Sequence, residues 1–313
     1  MEHKLFKKDV RFGEWLIQKL LLLAGISSML IIALIFVFLF KEAIRFFLTA
    51  SPMSLIGKWV FDDWEGRNVF NMMWQSVSEV PKYSIIPLIC GSFLVAFPAT
   101  IISGVLGIGC AIYLSELAPS RVREVLKPTL ELLAGIPSVV IGFVMLAFIA
   151  TFAQDIFHTK FRLNAFVGSM GVALAVLPIM ITIAEDAMRA VPKDLRDASY
   201  ALGATKWQTV WGTVVPAAVS GISAAIILGF GRALGETMIV LMATGNAALV
   251  TGNIFSSVRT MTANIAAELG SVAQGSEHYY ALFLVGAVLF TFTFGLNLVS
   301  ELVLNKMRQK LRM

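Results

Sequence analysis

The sequence predicts an all-α membrane protein that crosses the bilayer six times. Of its 313 residues, 58% are hydrophobic and only 14% are charged, whereas soluble domains carry roughly 25% charged residues. The mean hydropathy is +0.80. Apolar runs long enough to cross a bilayer as helices occur six times, at 20–40, 84–114, 132–153, 165–184, 217–243 and 281–304. The net charge of +5 is typical of basic loops on one side of a membrane and does not require nucleic acid as a partner.

The first 83 residues divide into three parts. Residues 1–19 are basic with interspersed apolar side chains, which favours a segment resting on anionic lipid. The run 20–40 is too long and too far from the N-terminus for a cleaved signal, so it predicts a retained membrane anchor. The longest connection, 41–83, is expected outside the cell. Its tryptophans favour packing on the membrane surface, with docking of an external partner as the alternative.

The third predicted span begins near a possible helix break. Gly135 and Pro137 can interrupt a helix and expose backbone N–H groups, which suits contact with an anion. Small residues in this position equally suit close packing between helices. Ser138 follows the break directly, and we include its hydroxyl among the candidates for a solute pathway.

A polar hairpin within 185–216 joins the fourth and fifth spans. Pro192 suits the first position of a short helix, and one face of that helix is apolar, formed by Leu195, Ala198 and Leu202. Gly203 suits the left-handed residue that ends a helix. Thr205-Lys206-Trp207-Gln208 matches a capping box that opens the next helix. The pattern predicts a compact helix–turn–helix that another surface can approach, with an ordinary amphipathic connector as the alternative.

Two charged residues lie within the fifth predicted span. An Arg at depth costs at least about 2.5–3.5 kcal/mol on insertion scales, so Arg232 is expected to face a bundle interior or an aqueous cavity. Glu236 follows at i+4, where it can form an intrahelical ion pair. The guanidinium offers a planar fork to a tetrahedral oxyanion, and Thr237 adds a possible donor. The alternative is a structural Arg–Glu clip.

The distribution of basic residues predicts the orientation. The N-terminal segment, the 121–127 connection, the hairpin and the tail at 305–313 hold most of the lysines and arginines. Because cytoplasmic loops are rich in Lys and Arg, both termini and the hairpin are expected in the cytoplasm. The sequence contains no G-x-x-x-x-G-K-[S/T] loop, so any nucleotide is expected on a separate subunit and no cofactor on this chain.

The hairpin resembles the EAA loop of ATP-binding-cassette (ABC) importer permeases. In that loop a Glu-Ala-Ala tripeptide is followed at fixed spacings by Gly and by Ile-x-Leu-Pro. Here Asp197-Ala198-Ser199 precedes Gly203 at the family spacing, Pro216 falls where the Pro belongs, and Thr213 and Val215 replace the Ile and Leu. The resemblance implies a type I ABC importer permease fold over 84–304. It also implies a loop that docks on an ATPase, for which the expected residues are Asp197, Ala198, Gly203, Ala204, Lys206 and Pro216.

Two further stretches are similar to the permease subunits of phosphate-specific importers, and the second is similar to the first-named of the two subunits. They are Leu133-Ala134-Gly135-Ile136-Pro137-Ser138-Val139-Val140 and Gly231-Arg232-Ala233-Leu234-Gly235-Glu236-Thr237. The similarity includes Arg259-Thr260-Met261-Thr262 and implies that Arg232 and Glu236 serve phosphate passage. The implied partners are a second, non-identical permease subunit, two ATPase subunits that bind ATP and Mg, and an external phosphate-binding protein.

Other interpretations are open from the residues alone. The same fold could carry sulfate, molybdate or phosphonate, because an Arg suits any of these oxyanions. A secondary transporter could use Glu236 as a proton site, although the cytoplasmic hairpin argues against it. An intramembrane enzyme or metal site is disfavoured because no H-E-x-x-H occurs and all three histidines lie outside the predicted spans, at His3, His158 and His278.

Overall fold

The structure is a computed structural model that describes residues 12–62 and 67–310. Most of the predicted lipid-resting segment at 1–19 and the end of the basic tail at 305–313 therefore lie outside the described residues. The described helices, in chain order, are α1 (Phe12–Thr49), α2 (Ile86–Ile112), α3 (Ser120–Ala134), α4 (Ser138–Val144), α5 (Ala150–Phe157), α6 (Ala165–Arg189), α7 (Lys193–Ala201), α8 (Lys206–Thr209), α9 (Val215–Gly235), α10 (Met238–Ala243), α11 (Met261–Glu268) and α12 (Glu277–Lys310).

Three π-helical turns make longer continuous helices of these elements. Tyr113–Leu117 extends α2, Met145–Ile149 joins α4 to α5, and Val210–Val214 joins α8 to α9. In the third case the turn ends two residues before Pro216 in α9. A proline cannot donate the backbone hydrogen bond of a regular helix, and a π-turn is one way in which a helix accommodates an irregular residue.

The six predicted spans are confirmed in number. The described residues contain six helical stretches long and apolar enough to cross a membrane, namely Gly13–Thr49, Ile86–Leu117, Ser138–Phe157, Ala165–Arg189, Lys206–Gly235 and Glu277–Leu302. Two predicted boundaries are wrong. The third span starts at Ser138 because the chain breaks at Pro137, and the fifth ends at Gly235 because Glu236 has an extended backbone.

The centre of the bundle is formed by α2, α6 and α9, which pack against one another, while α1 lies along α12. In the most apolar stretch of α6, 56% of the residues are buried, against 0% in α1. The helix α6 is therefore central and α1 peripheral. The hairpin and the π-turn of α2 lie at one end of the bundle, which we call the hairpin side.

Two small antiparallel sheets form part of the opposite end, which we call the strand side. Lys58–Asp62 (β1) pairs with Arg67–Asn71 (β2), and Trp74–Gln75 (β3) pairs with Lys82–Tyr83 (β4). These strands are an addition to the predicted all-α fold. Two aromatic side chains of this segment pack within the protein, because Trp74 and Tyr83 are buried against Phe46 and α12.

Candidate functional site

A break between α9 and α10 places the charged residues of the fifth span. Glu236 follows α9 with φ −67° and ψ 134°, so the chain leaves the helix there. Its Oε1 accepts backbone hydrogen bonds from Thr237, Met238 and Ile239 at 3.0, 3.1 and 3.3 Å. The carboxylate therefore satisfies the free N–H groups at the start of α10, as helix-capping side chains do.

Arg232 and Glu236 do not form the intrahelical ion pair that their spacing allows, so the alternative of a structural Arg–Glu clip is wrong. An i,i+4 pair requires one continuous helix, and α9 ends between the two residues. Arg232 lies in the last turn of α9 and is exposed. Within residues 12–62 and 67–310, Arg232 makes no hydrogen bond or ion pair, so its guanidinium is available to a ligand.

The opposite wall of the site comes from the break between α3 and α4. Gly135 ends α3, Pro137 is extended, and Ser138 opens α4. The predicted helix interruption is thus confirmed. Gly142, one turn into α4, lies against the backbone of Ile239 in α10, so it fixes the distance between the two walls.

A cavity of about 300 Å³ lies between these breaks. Its lining residues are Leu133, Ala134, Ile136, Ser138, Ile141, Ala175, Arg232, Gly235, Glu236 and Thr237. The structure therefore brings together all four residues that we predicted for the solute pathway. The hydroxyl of Thr237 already donates to the carbonyl of Gly235 at 3.3 Å, so it must rotate in order to donate to a ligand.

Thr262 is a supporting residue that the sequence analysis did not assign to the site. Its hydroxyl donates to the backbone carbonyl of Glu236 at 2.6 Å and also contacts the hydroxyl of Thr260 at 3.0 Å. Thr260 in turn caps α11 by accepting from the N–H of Ala263. The stretch 259–262 was noted only for its family resemblance, and no local pattern indicates its contact with a residue 26 positions earlier.

On the strand side, Glu268 joins distant parts of the chain. It accepts from Trp74 Nε1 at 2.9 Å and from Arg259 Nη1 at 2.8 Å, and it lies 2.7 Å from His278 Nε2. Burial, followed by the charges of Glu277 and Glu268, raises the pKa of Tyr83 to about 12. This network anchors the segment at 74–83 to α11 and α12 and fixes Arg259 near the residues that support the cavity.

The hairpin has the predicted conformation. Gly203 is left-handed with φ +83°, and Thr205 and Gln208 form both hydrogen bonds of a capping box. Pro192 is one position earlier than predicted, because it is the N-cap residue and not the first residue of α7. The expected apolar face is exposed, since Leu195 is 44% and Leu202 is 90% accessible.

The residues predicted to contact an ATPase lie in different environments. Asp197, Ala198, Gly203 and Lys206 are exposed along the hairpin and Ala204 is partly buried. Pro216 is exposed but lies within α9, ten residues beyond Lys206, or about 15 Å along the helix. The first five residues therefore lie in the hairpin itself, on either side of the glycine corner, and Pro216 lies outside it.

Other cavities and clusters lack the features of this site. A groove of about 780 Å³ between α2 and α9 has no Lys, Arg, His, Asp or Glu in its lining, so it offers an oxyanion no counter-charge. In the part of the chain that the structure describes, no group of three or more His, Cys, Asp or Glu side chains could hold a metal ion.

The six spans, the small charged cavity and the exposed hairpin define a multi-pass membrane permease. Residues 103–309 match the family described as "Binding-protein-dependent transport system inner membrane component". The chain belongs to this family of inner-membrane transport subunits, which are not themselves enzymes.

Relatives and a solved structure support this assignment. The chain is 37% identical to the "Probable ABC transporter permease protein YqgH" of Bacillus subtilis (strain 168), over 72% of each chain. It is 30% identical to the "Phosphate transport system permease protein PstC" of Pasteurella multocida (strain Pm70), over 87% of this chain and 92% of the relative. A bacterial alginate ABC transporter in complex with its periplasmic protein has the same fold in one chain, with a TM-score of 0.56 at 15% identity, covering 93% of this chain and 96% of that chain.

Proposed function

We propose that this chain is a permease subunit of an ATP-driven phosphate importer and forms half of the pathway for inorganic phosphate. The proposal rests on the position of the Arg232 guanidinium. It lines a cavity between two helix breaks, and no described residue forms an ion pair with it. Relatives named as phosphate permeases at about 30% identity support phosphate as the oxyanion.

The cavity suits transient contact with a tetrahedral oxyanion. Arg232 supplies a planar pair of donors that matches two oxygens of the anion, and Ser138 supplies a hydroxyl. Three backbone N–H groups hold the Glu236 carboxylate at the edge of the same cavity. The attraction of Arg232 is thereby opposed by a nearby repulsion, which favours passage of the anion over tight retention.

The concentration of Lys and Arg in the hairpin and the terminal segments, typical of cytoplasmic loops, supports the following arrangement of the assembly. The hairpin side faces the cytoplasm, together with both chain termini, and its exposed surface around Gly203 docks on one of two ATPase subunits, which bind ATP and Mg. The strand side faces an external phosphate-binding protein. A second, non-identical permease subunit completes the pathway, and lipid surrounds the pair.

Transport in vesicles tests this function. The purified complex with its ATPases and binding protein should accumulate phosphate only when ATP is supplied, and excess sulfate, molybdate or phosphonate should not displace phosphate. Uptake driven by a proton gradient without ATP would contradict the proposal. Preferential uptake of another oxyanion would keep the permease assignment and change the substrate.

The variant Arg232→Gln tests the role of the cavity. It removes the positive charge and the planar pair of N–H donors. Because Arg232 makes no hydrogen bond among the described residues, the complex should assemble normally. Phosphate uptake should be lost, whereas Arg121→Gln, an exposed residue of α3, should leave it unchanged. Normal uptake by assembled Arg232→Gln complexes would show that the guanidinium is not part of the pathway.

A further inference from the structure

An ion pair far from the cavity joins the hairpin to α2. Arg196 of α7 donates through Nη2 to Glu116 Oε1 at 2.7 Å and through Nε to Oε2 at 3.2 Å. The two side chains are only 16% and 8% exposed. This is a bidentate, charge-assisted pair, the arrangement in which Arg and a carboxylate bind most strongly and with defined geometry.

The same guanidinium also binds the end of the neighbouring span. It donates to the backbone carbonyls of Met188 and Val191, which lie at the end of α6 and just beyond it. The helix α7 also packs against α8 and the π-turn that follows α8. Arg196 therefore attaches α7 to both α2 and α6.

Glu116 lies in a part of α2 that is itself held firmly. It belongs to the π-turn that ends the helix. Arg123 of α3 donates to the carbonyls of Leu114 and Ser115 in this turn, at 2.8 and 3.0 Å. These hydrogen bonds satisfy carbonyl groups that a helix end otherwise leaves free and tie the turn to α3. Because the turn continues α2 without a break, the position of Glu116 follows the position of α2.

The other end of α2 supports the anion cavity. The Ser92 hydroxyl accepts from the N–H of Met261 at 2.9 Å, and the next residue, Thr262, donates to the Glu236 carbonyl at 2.6 Å. Glu116 and Ser92 are 24 residues apart, which corresponds to about 36 Å of helix. The helix α2 therefore connects the hairpin at one end with the support of Glu236 at the other.

We propose that Glu116 and Arg196 are positioning residues for transport, and that through this pair α2 moves with the hairpin when the ATPases close. The proposal rests on the proposed function, in which the hairpin docks on an ATPase. A bidentate pair resists separation as well as approach, so α2 follows the hairpin in both directions. The cavity then changes shape in step with ATP hydrolysis.

The measurement that tests this pair is the number of phosphate ions transported per ATP hydrolysed. Uptake and hydrolysis are measured in the same vesicles, containing the full complex with its ATPases, sister permease and binding protein. In Arg196→Gln and Glu116→Gln, hydrolysis should continue and the ratio should fall about two- to thirtyfold, the range expected when a contact that couples two sites is lost. Arg121→Gln and Glu124→Gln, exposed residues of α3, are the matched controls and should keep the wild-type ratio.

Charge reversal separates coupling from stability. Arg196→Glu or Glu116→Arg alone should uncouple the complex. The double variant should regain part of the ratio because the pair is restored in reverse, but not all of it, because a carboxylate at position 196 cannot donate to the carbonyls of Met188 and Val191. Wild-type ratios in the single variants would overturn the proposal. If the Gln variants fail to assemble, the ratio is measured in Arg196→Lys instead. Lysine keeps the positive charge but cannot form the bidentate hydrogen bonds with Glu116. An unchanged ratio in assembled Arg196→Lys complexes would also overturn the proposal.

This test can fail independently of the proposed function. If the chain does not belong to a phosphate importer, the wild-type complex transports no phosphate in the same assay. If the function is right and the pair has no part in coupling, all variants transport phosphate with the wild-type ratio.

Discussion

Arg232 occupies a favourable position for a cation in an apolar helix. It lies in the last turn of α9, where the carbonyl ends of the helix carry a partial negative charge that stabilises a cation by about 0.3–1 kcal/mol at exposed sites. The chain break at Glu236 then exposes the guanidinium to the cavity and not to the interior of the helix bundle. The position of the helix end thus makes the charge both tolerable and available.

The variant Arg232→Lys should retain only part of the transport activity. Lysine keeps the positive charge but cannot offer two parallel donors to an oxyanion. A hydrogen bond to a charged group is worth about 1.5–3 kcal/mol, so we expect phosphate uptake to fall about ten- to a hundredfold, less than in Arg232→Gln. Equal uptake rates for Arg232→Lys and wild type would show that charge alone is sufficient.

Glu236 has a structural role that can be separated from its charge. Glu236→Ala removes the acceptor for three N–H groups and should destabilise the start of α10 by about 0.5–2 kcal/mol, the usual cost of a lost helix cap. Glu236→Gln keeps an acceptor oxygen. Hydrogen exchange measured by mass spectrometry should therefore increase at residues 237–239 in the Ala variant and remain near wild type in the Gln variant. Equal exchange in the two variants would contradict the capping role.

The sequence predicted which residues line the site but not how their side chains are arranged relative to one another. Arg232 and Glu236 stood out because charged residues are rare in apolar spans. Their i,i+4 spacing suggested an ion pair, since spacing gives the geometry only within a continuous helix. The break that separates them depends on hydrogen bonds from three successive backbone N–H groups to one carboxylate, and hydropathy does not detect such an arrangement.

At the scale of elements, the two helix breaks differ in how visible they are in the sequence. The break before Ser138 contains a proline, which restricts the preceding residue and lacks an N–H, so it was predicted. The break at Glu236 contains only Gly235 as a signal. The hairpin was the most predictable element because Gly203 and the Thr205–Gln208 capping box are local features, whose structure depends on few distant contacts.

Replacing the glycine at the corner should distort the hairpin. Gly203 has φ +83°, a left-handed conformation that costs other residues roughly 1–2 kcal/mol. We therefore expect Gly203→Ala to reduce the amount of ATPase that co-purifies with the permease. Gly212→Ala is the matched control, since Gly212 lies in the nearby π-turn with open space around it and no positive φ. Equal ATPase recovery in the two variants would argue against a strained corner.

At the scale of the whole molecule, long-range contacts determine how the site is supported. Arg196 and Glu116 are 80 residues apart, and Ser92 and Met261 are 169 residues apart. No periodicity or local motif indicates such pairs, so the sequence could not predict the connection that α2 makes between the hairpin and the cavity. The spans themselves were predictable because each depends on the composition of one continuous segment.

Gly91 allows the strand-side end of α2 to make its contacts. A Cβ at this position would overlap the backbone carbonyl oxygen of Arg259, two residues before Met261, whose N–H donates to the Ser92 hydroxyl. Gly91→Ala must therefore move the 259–262 segment away from α2, and overpacking of this kind costs about 1–3 kcal/mol. Because Thr262 would move with the segment, we expect Glu236 to lose its carbonyl hydrogen bond. Phosphate uptake should then fall together with the midpoint of thermal unfolding.

Gly109→Ala provides the comparison on the same helix, because a Cβ there meets no atom within 4 Å. Replacing a glycine within a helix by alanine generally favours the helix by up to about 1 kcal/mol, so this variant should unfold at the wild-type temperature or above and transport normally. If Gly91→Ala also transports normally, the contact between α2 and the 259–262 segment is not needed by the cavity. In that case α2 would not link the hairpin to the hydrogen bond that supports Glu236.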